Sequence, residues 1–347
     1  MPGQESRRLD SGFGAFSITT WIGCLLLGCV LGCLLTACSQ EKEPEPETVA
    51  ETETPAESQP VPIPDTEHAE LLRDAAGTWQ RWIDGEVDFY EIPEDEVDVI
   101  YGLLGHVLDR VDAETVEFID VGCSVGDYLV RLDRHVSKPI HSLGIDPVDR
   151  TGRAEFSTYL QVAVANQEPG KADFHLYGGP DLAASSLQRM KKENVSHSEA
   201  QQDEKFYHPV AIETERGTIT VDVVPLSRVI EDHDLQETVI HLVKVDVQGT
   251  DLGSFLSLRR YVQNVLFFQI ESIFSQKEGH KLYEGQKLFD EEKEILEALG
   301  FRLFNVARFP SGPEADVMWI HTRLFEELAP QVGLRPTAEI ETADGSP

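Results

Sequence analysis

Apolar positions along this chain follow two rhythms. Between about 68 and 112 they recur at helical spacing. Leu71, Leu72, Trp79 and Trp82 share one face, and Val97, Ile100, Tyr101, Leu104, Val107 and Leu108 repeat the same period. This predicts a helical prefix packed on a main sheet, with Pro93-Glu94 opening its second helix. From Val116 onward, short apolar runs alternate with helical stretches. Strands are expected over 117–121, 141–147, 160–167 and 172–179, from 218, from 239, and over 264–272, 301–306 and 315–322. Helices are expected from Asp127, after Gly249, and over 289–300, the last closed by Gly300. This alternation predicts an α/β fold with a doubly wound, mostly parallel sheet.

In such sheets ligands sit beyond the carboxyl ends of the strands, where the strand order reverses. That rule sorts the polar residues. Asp120, Gly122, Asp146, Asn166, Asp246 and Glu271 fall at carboxyl ends, whereas His141 and His241 fall at the opposite ends and are set aside as catalysts. The stretch EFIDVGCSVGDYLVRL, Glu117–Leu132, joins a strand, an acid near its end and a turn bracketed by Gly122 and Gly126. Glycine there admits positive φ and lets a ligand approach closely. A dinucleotide turn requires G-x-G-x-x-G, and the spacing Gly122-x-x-x-Gly126 lacks it. An acid at each of the first two strand ends better suits S-adenosylmethionine, which presents ribose hydroxyls and a charged amino-acid end.

At these residues the sequence resembles the FkbM-type methyltransferases. IDVGCSVGDY (119–128) is similar to their D-V-G-A-N-x-G turn, with Cys123-Ser124 replacing Ala-Asn. LGIDP (143–147), VAVANQEPGKADFHL (162–176), Ser185-Ser186-Leu187, VKVDVQGTD (243–251) and FQIES (268–272) resemble further blocks of that family in the same order. Ser227 departs from it, standing where the family usually has aspartate. The resemblance covers roughly 116–322 and implies a class I, Rossmann-like methyltransferase domain over 113–330. It implies S-adenosylmethionine as cofactor, with Asp120, Gly122, Cys123 and Gly126 around its methionine end. Asp146 would then accept from the ribose, and Asn166 would lie at the adenine. The expected reaction is O-methylation of a hydroxyl on a glycan or small metabolite.

Asp246 follows Lys244 by two positions on one strand, so both side chains share a face. With Glu271 on a neighbouring strand, Lys244 and Asp246 are the candidate catalytic group, the two carboxylates forming an acidic pair beside the acceptor. The competing reading is a structural Lys244–Asp246 ion pair that supports the Gly249 turn.

Composition changes the picture mainly at the ends. The net charge is −33, which argues against nucleic acid as a partner, since phosphate contacts need clustered Lys and Arg. Arg7 and Arg8 precede a long apolar stretch, Phe13–Leu35, that ends in Leu35-Thr36-Ala37-Cys38. This resembles a bacterial lipobox, so 1–38 is read as a lipoprotein signal peptide with Cys38 as the lipidated residue. A single N-terminal transmembrane anchor is the alternative. Either way the remaining chain is expected to face outward, held at a membrane. Residues 39–67 read as an acidic Pro/Glu linker, and 331–347 as a disordered tail. Cys123 alone follows Cys38, and no zinc-type spacing is present. Because S-adenosylmethionine is made in the cytoplasm, export keeps a second reading open. In it the fold is a non-catalytic surface lipoprotein that binds a ligand or partner.

Overall fold

The computed structural model describes residues 67–93, 96–150, 153–177, 182, 184–191, 216–274, 280–309 and 313–335. The expected signal peptide with Cys38, nearly all of the linker, most of 180–215 and the chain beyond 335 lie outside the described residues. No helix among the described residues is long and apolar enough to cross a membrane.

An eight-stranded sheet forms the centre. In chain order its strands are β1 (Tyr90–Pro93), β2 (Val116–Val121), β3 (Ile140–Ile145), β4 (Thr158–Leu160), β8 (Ile240–Val245), β9 (Val265–Ile273), β10 (Phe301–Arg308) and β11 (Glu314–His321). Their spatial order is β1-β10-β11-β9-β8-β2-β3-β4. Pairing is antiparallel only where β11 lies between β10 and β9, and parallel at the other junctions. A second sheet has the order β5-β7-β6, from β5 (Ala163–Val164), β6 (Gly170–Leu176) and β7 (Gly217–Val224). The doubly wound, mostly parallel sheet is therefore present.

Both faces are covered because each strand splits its apolar residues by the two-residue period. Phe118, Leu242 and Phe267 point into one core, and Ile119, Val243 and Phe268 into the other. The first core is closed by α1 (Glu67–Arg73), α2 (Ala75–Ile83), α3 (Asp98–Leu108), α4 (Asp127–His135) and α8 (Thr322–Leu328). The second is closed by α5 (Leu226–Asp232), α6 (Asp251–Leu256) and α7 (Phe289–Ala298). Trp79 stacks on Phe304 at 4.1 Å between centroids, and its indole N–H donates to Leu103 O. Trp82 donates to Leu303 O. The prefix thus packs on the sheet as its apolar face predicts.

Three expectations need correction. The prefix over 68–112 is not wholly helical: Tyr90–Pro93 is a strand that extends the sheet by pairing with Asn305–Arg308. Pro93 therefore ends a strand, and it is tolerated because β1 is an edge. The apolar run 160–167 is not one strand. Thr158–Leu160 belongs to the large sheet and Ala163–Val164 to the small one. Packing also continues beyond 330, since Val332 and Leu334 are buried in the first core. The tail boundary therefore moves past Leu334.

Candidate functional site

Strand order reverses between β2 and β8, so their carboxyl ends flank a crevice. A cleft with about 200 Å³ of room opens there. Gly122, Cys123, Asp146, Arg150, Asp246 and Gln248 are among its walls.

The first wall is the turn after β2. Gly122, Ser124 and Gly126 all have positive φ, at 73°, 48° and 84°. Gly122 is required by more than conformation: a Cβ there would lie 1.8 Å from Asp246 O. Gly122 N–H and Cys123 N–H both donate to Ile145 O, locking the turn against β3. Gly126 is the N-cap of α4 and does not face the cleft; a Cβ on it would meet Ala154 and Phe156. Burial pushes the Cys123 thiol far above its ordinary range, so it is not a thiolate at neutral pH.

The second wall is Asp146, just past β3. It is 4% exposed. Ser124 N–H donates to its Oδ2 at 3.0 Å and Val148 N–H to its Oδ1 at 2.8 Å. Each oxygen keeps one acceptor site, so the carboxylate is oriented but not saturated. Burial raises its pKa, opposed by Val148 N–H and the Arg150 guanidinium.

The floor is built around Lys244. This side chain is 3% exposed. Its Nζ lies 3.3 Å from Asp246 Oδ2, 3.6 Å from Asp120 Oδ1 and 4.4 Å from the centre of the Tyr128 ring. It also donates to Gly122 O at 3.3 Å. Burial alone would lower its pKa, but Asp246, Asp120 and Asp316 together push it up, so it stays charged. Asp120 pairs in register with Lys244 and is fully buried. Burial lifts its pKa to about 6, with the Lys244 charge opposing. Asp120 lies beneath the cleft rather than in its wall, so it reaches a ligand only through Lys244 and the Gly122 turn. That corrects its expected place at the methionine end.

Asp246 does line the cleft and is 29% exposed. Glu271 does not line it. The two carboxylates are joined by one amide: Gln248 Nε2 donates to Asp246 Oδ1 and to Glu271 Oε2, both at 2.8 Å. The expected direct acidic pair is therefore a carboxylate–amide–carboxylate bridge. Withdrawal from water raises the Glu271 pKa, helped by Glu314 and Asp246. Gln248 has φ 60°, a conformation ordinary residues adopt at some cost. Three side chains hold it there. Ser186 Oγ donates to Gln248 O at 2.6 Å, Tyr283 Oη lies 3.1 Å from Gln248 Oε1, and Asp251 accepts from Val247 N–H and Gly249 N–H. Asp251 thus fixes the turn instead of facing the cleft.

Of the expected site residues, Gly122, Cys123, Asp146, Lys244 and Asp246 come together in the cleft. Asp120 and Glu271 support it from behind. Asn166 is not in its wall: the break of the third strand carries the chain into the small sheet, and Val162–Val164 take the wall position instead. Gln248, Tyr128 and Arg150 also line the cleft, though neither residue type nor strand position singles them out in the sequence. Gln248 lay inside the quoted VKVDVQGTD block, but its partners Glu271 and Tyr283 are 23 and 35 residues away.

A family model described as "Methyltransferase FkbM domain" matches residues 120–303, over half of the chain. Two solved structures are similar in part. The METTL16 MTase domain is 11% identical with a TM-score of 0.30, the match covering 72% of this chain and 76% of that one. The mitomycin 7-O-methyltransferase MmcR is 12% identical with a TM-score of 0.27, covering 74% of this chain and 61% of that one. No curated protein matches the chain significantly.

Proposed function

The chain belongs to the FkbM methyltransferase-domain family, and from that premise we propose that it transfers a methyl group from S-adenosylmethionine to a hydroxyl of a glycan or small metabolite. The observation that carries this reading is the half-satisfied carboxylate of Asp146 in the cleft at the switch point. A vicinal diol matches two acceptor sites already oriented by backbone N–H groups. Gly122 and Cys123 would hold the amino-acid end close to the turn, where the absence of a side chain at 122 keeps the backbone near. When bound, the sulfonium supplies an electrophilic methyl group.

The remaining work falls to this chain's own groups. Displacement at a methyl needs proximity above all, and the cleft walls provide it. A hydroxyl acceptor also needs somewhere for its proton to go. Asp246 lies in the wall, is partly open to solvent and, unlike the exposed Asp127 of the same wall, stands beside Lys244. Lys244 and Gln248 fix its orientation from two sides, leaving Asp246 to receive the proton.

Calorimetry on the full chain tests this. S-adenosylmethionine is expected to bind, and Asp146→Ala to weaken it about tenfold or more, as loss of charge-assisted hydrogen bonds predicts. Asp246→Asn is expected to keep binding while turnover falls about a hundredfold. An intact chain that binds no S-adenosylmethionine would sink the reading. We also propose that Cys38 carries a lipid that tethers the domain at a membrane facing outward, on the strength of Leu35-Thr36-Ala37-Cys38 after the apolar run. Radiolabelled palmitate should enter the chain and be lost in Cys38→Ser; label that persists rejects this anchor.

A further inference from the structure

Arg150 stands four residues after Asp146 and lines the same cleft. Its side chain is 12% exposed. Nη2 donates to Leu182 O at 3.3 Å. Nε lies 3.7 Å from Asp146 Oδ2, an ion-pair distance too long for a hydrogen bond. Nε and Nη1 are both buried, and neither has a hydrogen-bond partner among the described residues. A buried donor left unpaired is costly, so a guanidinium held this way in a cleft wall needs an acceptor.

The kind of acceptor follows from the charges. Asp146 already balances the guanidinium charge. What Arg150 lacks is a lone pair, not a counter-ion. That favours a neutral oxygen or ring nitrogen over a phosphate or carboxylate. The adjoining wall is apolar, with Ile145, Val162, Val164, Phe174 and Leu187, and suits a flat base. From these observations we infer that Arg150 is a further binding residue of the cleft, its guanidinium turning on binding so that Nη1 donates to a neutral acceptor on the nucleoside half of the ligand whose ribose Asp146 holds. This rests on the cofactor reading above. It makes the Asp146–Arg150 spacing a two-sided clamp: one residue accepts from the nucleoside and the other donates to it. Lysine is no substitute, because it has no second arm to reach past Asp146 and Leu182 together.

Calorimetry of the full chain with S-adenosylhomocysteine and with 5′-methylthioadenosine, which lacks the amino-acid end, tests the assignment. Ligand-free melting temperatures are read in parallel. Wild type is expected to bind both. Arg150→Gln is expected to weaken both by the same factor, about tenfold, with a ligand-free melting temperature within a few degrees of wild type. Arg150→Lys is expected to recover little. Equal binding by Arg150→Lys and wild type would overturn the donor role of Nη1. A loss for S-adenosylhomocysteine without one for methylthioadenosine would move the contact to the amino-acid half and overturn it too. Binding lost only together with a collapsed ligand-free melting temperature also rejects a direct contact. If Arg150→Gln binds both as wild type does, this inference fails and the cofactor reading stands; if wild type binds neither, both fall.

Discussion

Gly122→Ala is expected to remove ligand binding and to lower the melting temperature by about 10 °C. Two costs add. The backbone sits at φ 73°, where a Cβ costs about 1–2 kcal/mol. That Cβ would also lie 1.8 Å from Asp246 O. This atom is backbone, so the ends of β2 and β8 must part, and overpacking of this kind costs about 1–3 kcal/mol more. For a domain of this size the sum, about 2–5 kcal/mol, corresponds to roughly 10 °C. The control is Gly253→Ala in α6. A Cβ there meets nothing within 4 Å, so the helix should gain up to about 1 kcal/mol. Thermal melts of the two variants should therefore move in opposite directions. A Gly122→Ala protein that melts like wild type would show that the two strand ends do not press together as described.

Lys244→Met is the second large effect. It keeps most of the side-chain volume but removes the only positive charge that Asp120 and Asp246 share at close range among the described residues. Breaking a buried pair from one side costs about 3–5 kcal/mol, because Asp120 is left charged and fully buried. The loss should depend on pH. Asp120 already has a folded pKa of about 6, raised above its unfolded value by burial, and removing Lys244 pushes it higher. A group whose folded pKa is raised favours the fold below its unfolded pKa, and that contribution is lost as pH rises through the folded value. The variant should therefore be far less stable than wild type at pH 7.5 and recover much of the difference at pH 5. Adding Asp120→Asn should rescue it at pH 7.5, since the two sites are coupled. Urea melts of the single and double variants at both pH values provide the measurement. A single variant with a pH-independent deficit would mean that Asp120 is not the group left unpaired.

The strands were legible because each is a short apolar run between turn residues, and Val116–Val121, Ile240–Val245 and Val265–Ile273 fall within a residue or two of expectation. The same rule failed at 160–167, where a run interrupted only by Gln161 before Asn166 conceals a change of sheet. Burial pattern alone says that Val162–Val164 are inside, not which neighbour covers them. Tyr90–Pro93 was absorbed into a helical prefix because a four-residue edge strand has too few positions to show a period. At the site, residue type and strand end picked out Asp120, Asp146 and Asp246 alike. Only side-chain direction separates them. Asp120 turns down beside Lys244, whereas Asp146 and Asp246 turn into the cleft. The Gln248 bridge and the orphan donors of Arg150 depend on partners brought from other elements, so no local pattern announces them.

The small strand β1 also orders events in time. It comes near the start of the described chain, yet its partner Asn305–Arg308 arrives more than two hundred residues later. Asn305 Nδ2 donates to Tyr90 O across 215 positions, and Gln80 reaches Arg335 across 255. During synthesis the faces of Trp79 and Trp82 that pack on Phe304 and Phe325 stay uncovered until those residues emerge. Contacts of such separation are slow to form. The segment from Phe301 to Leu334 is thus the one that closes the first core, and that core stays open until the segment has been made.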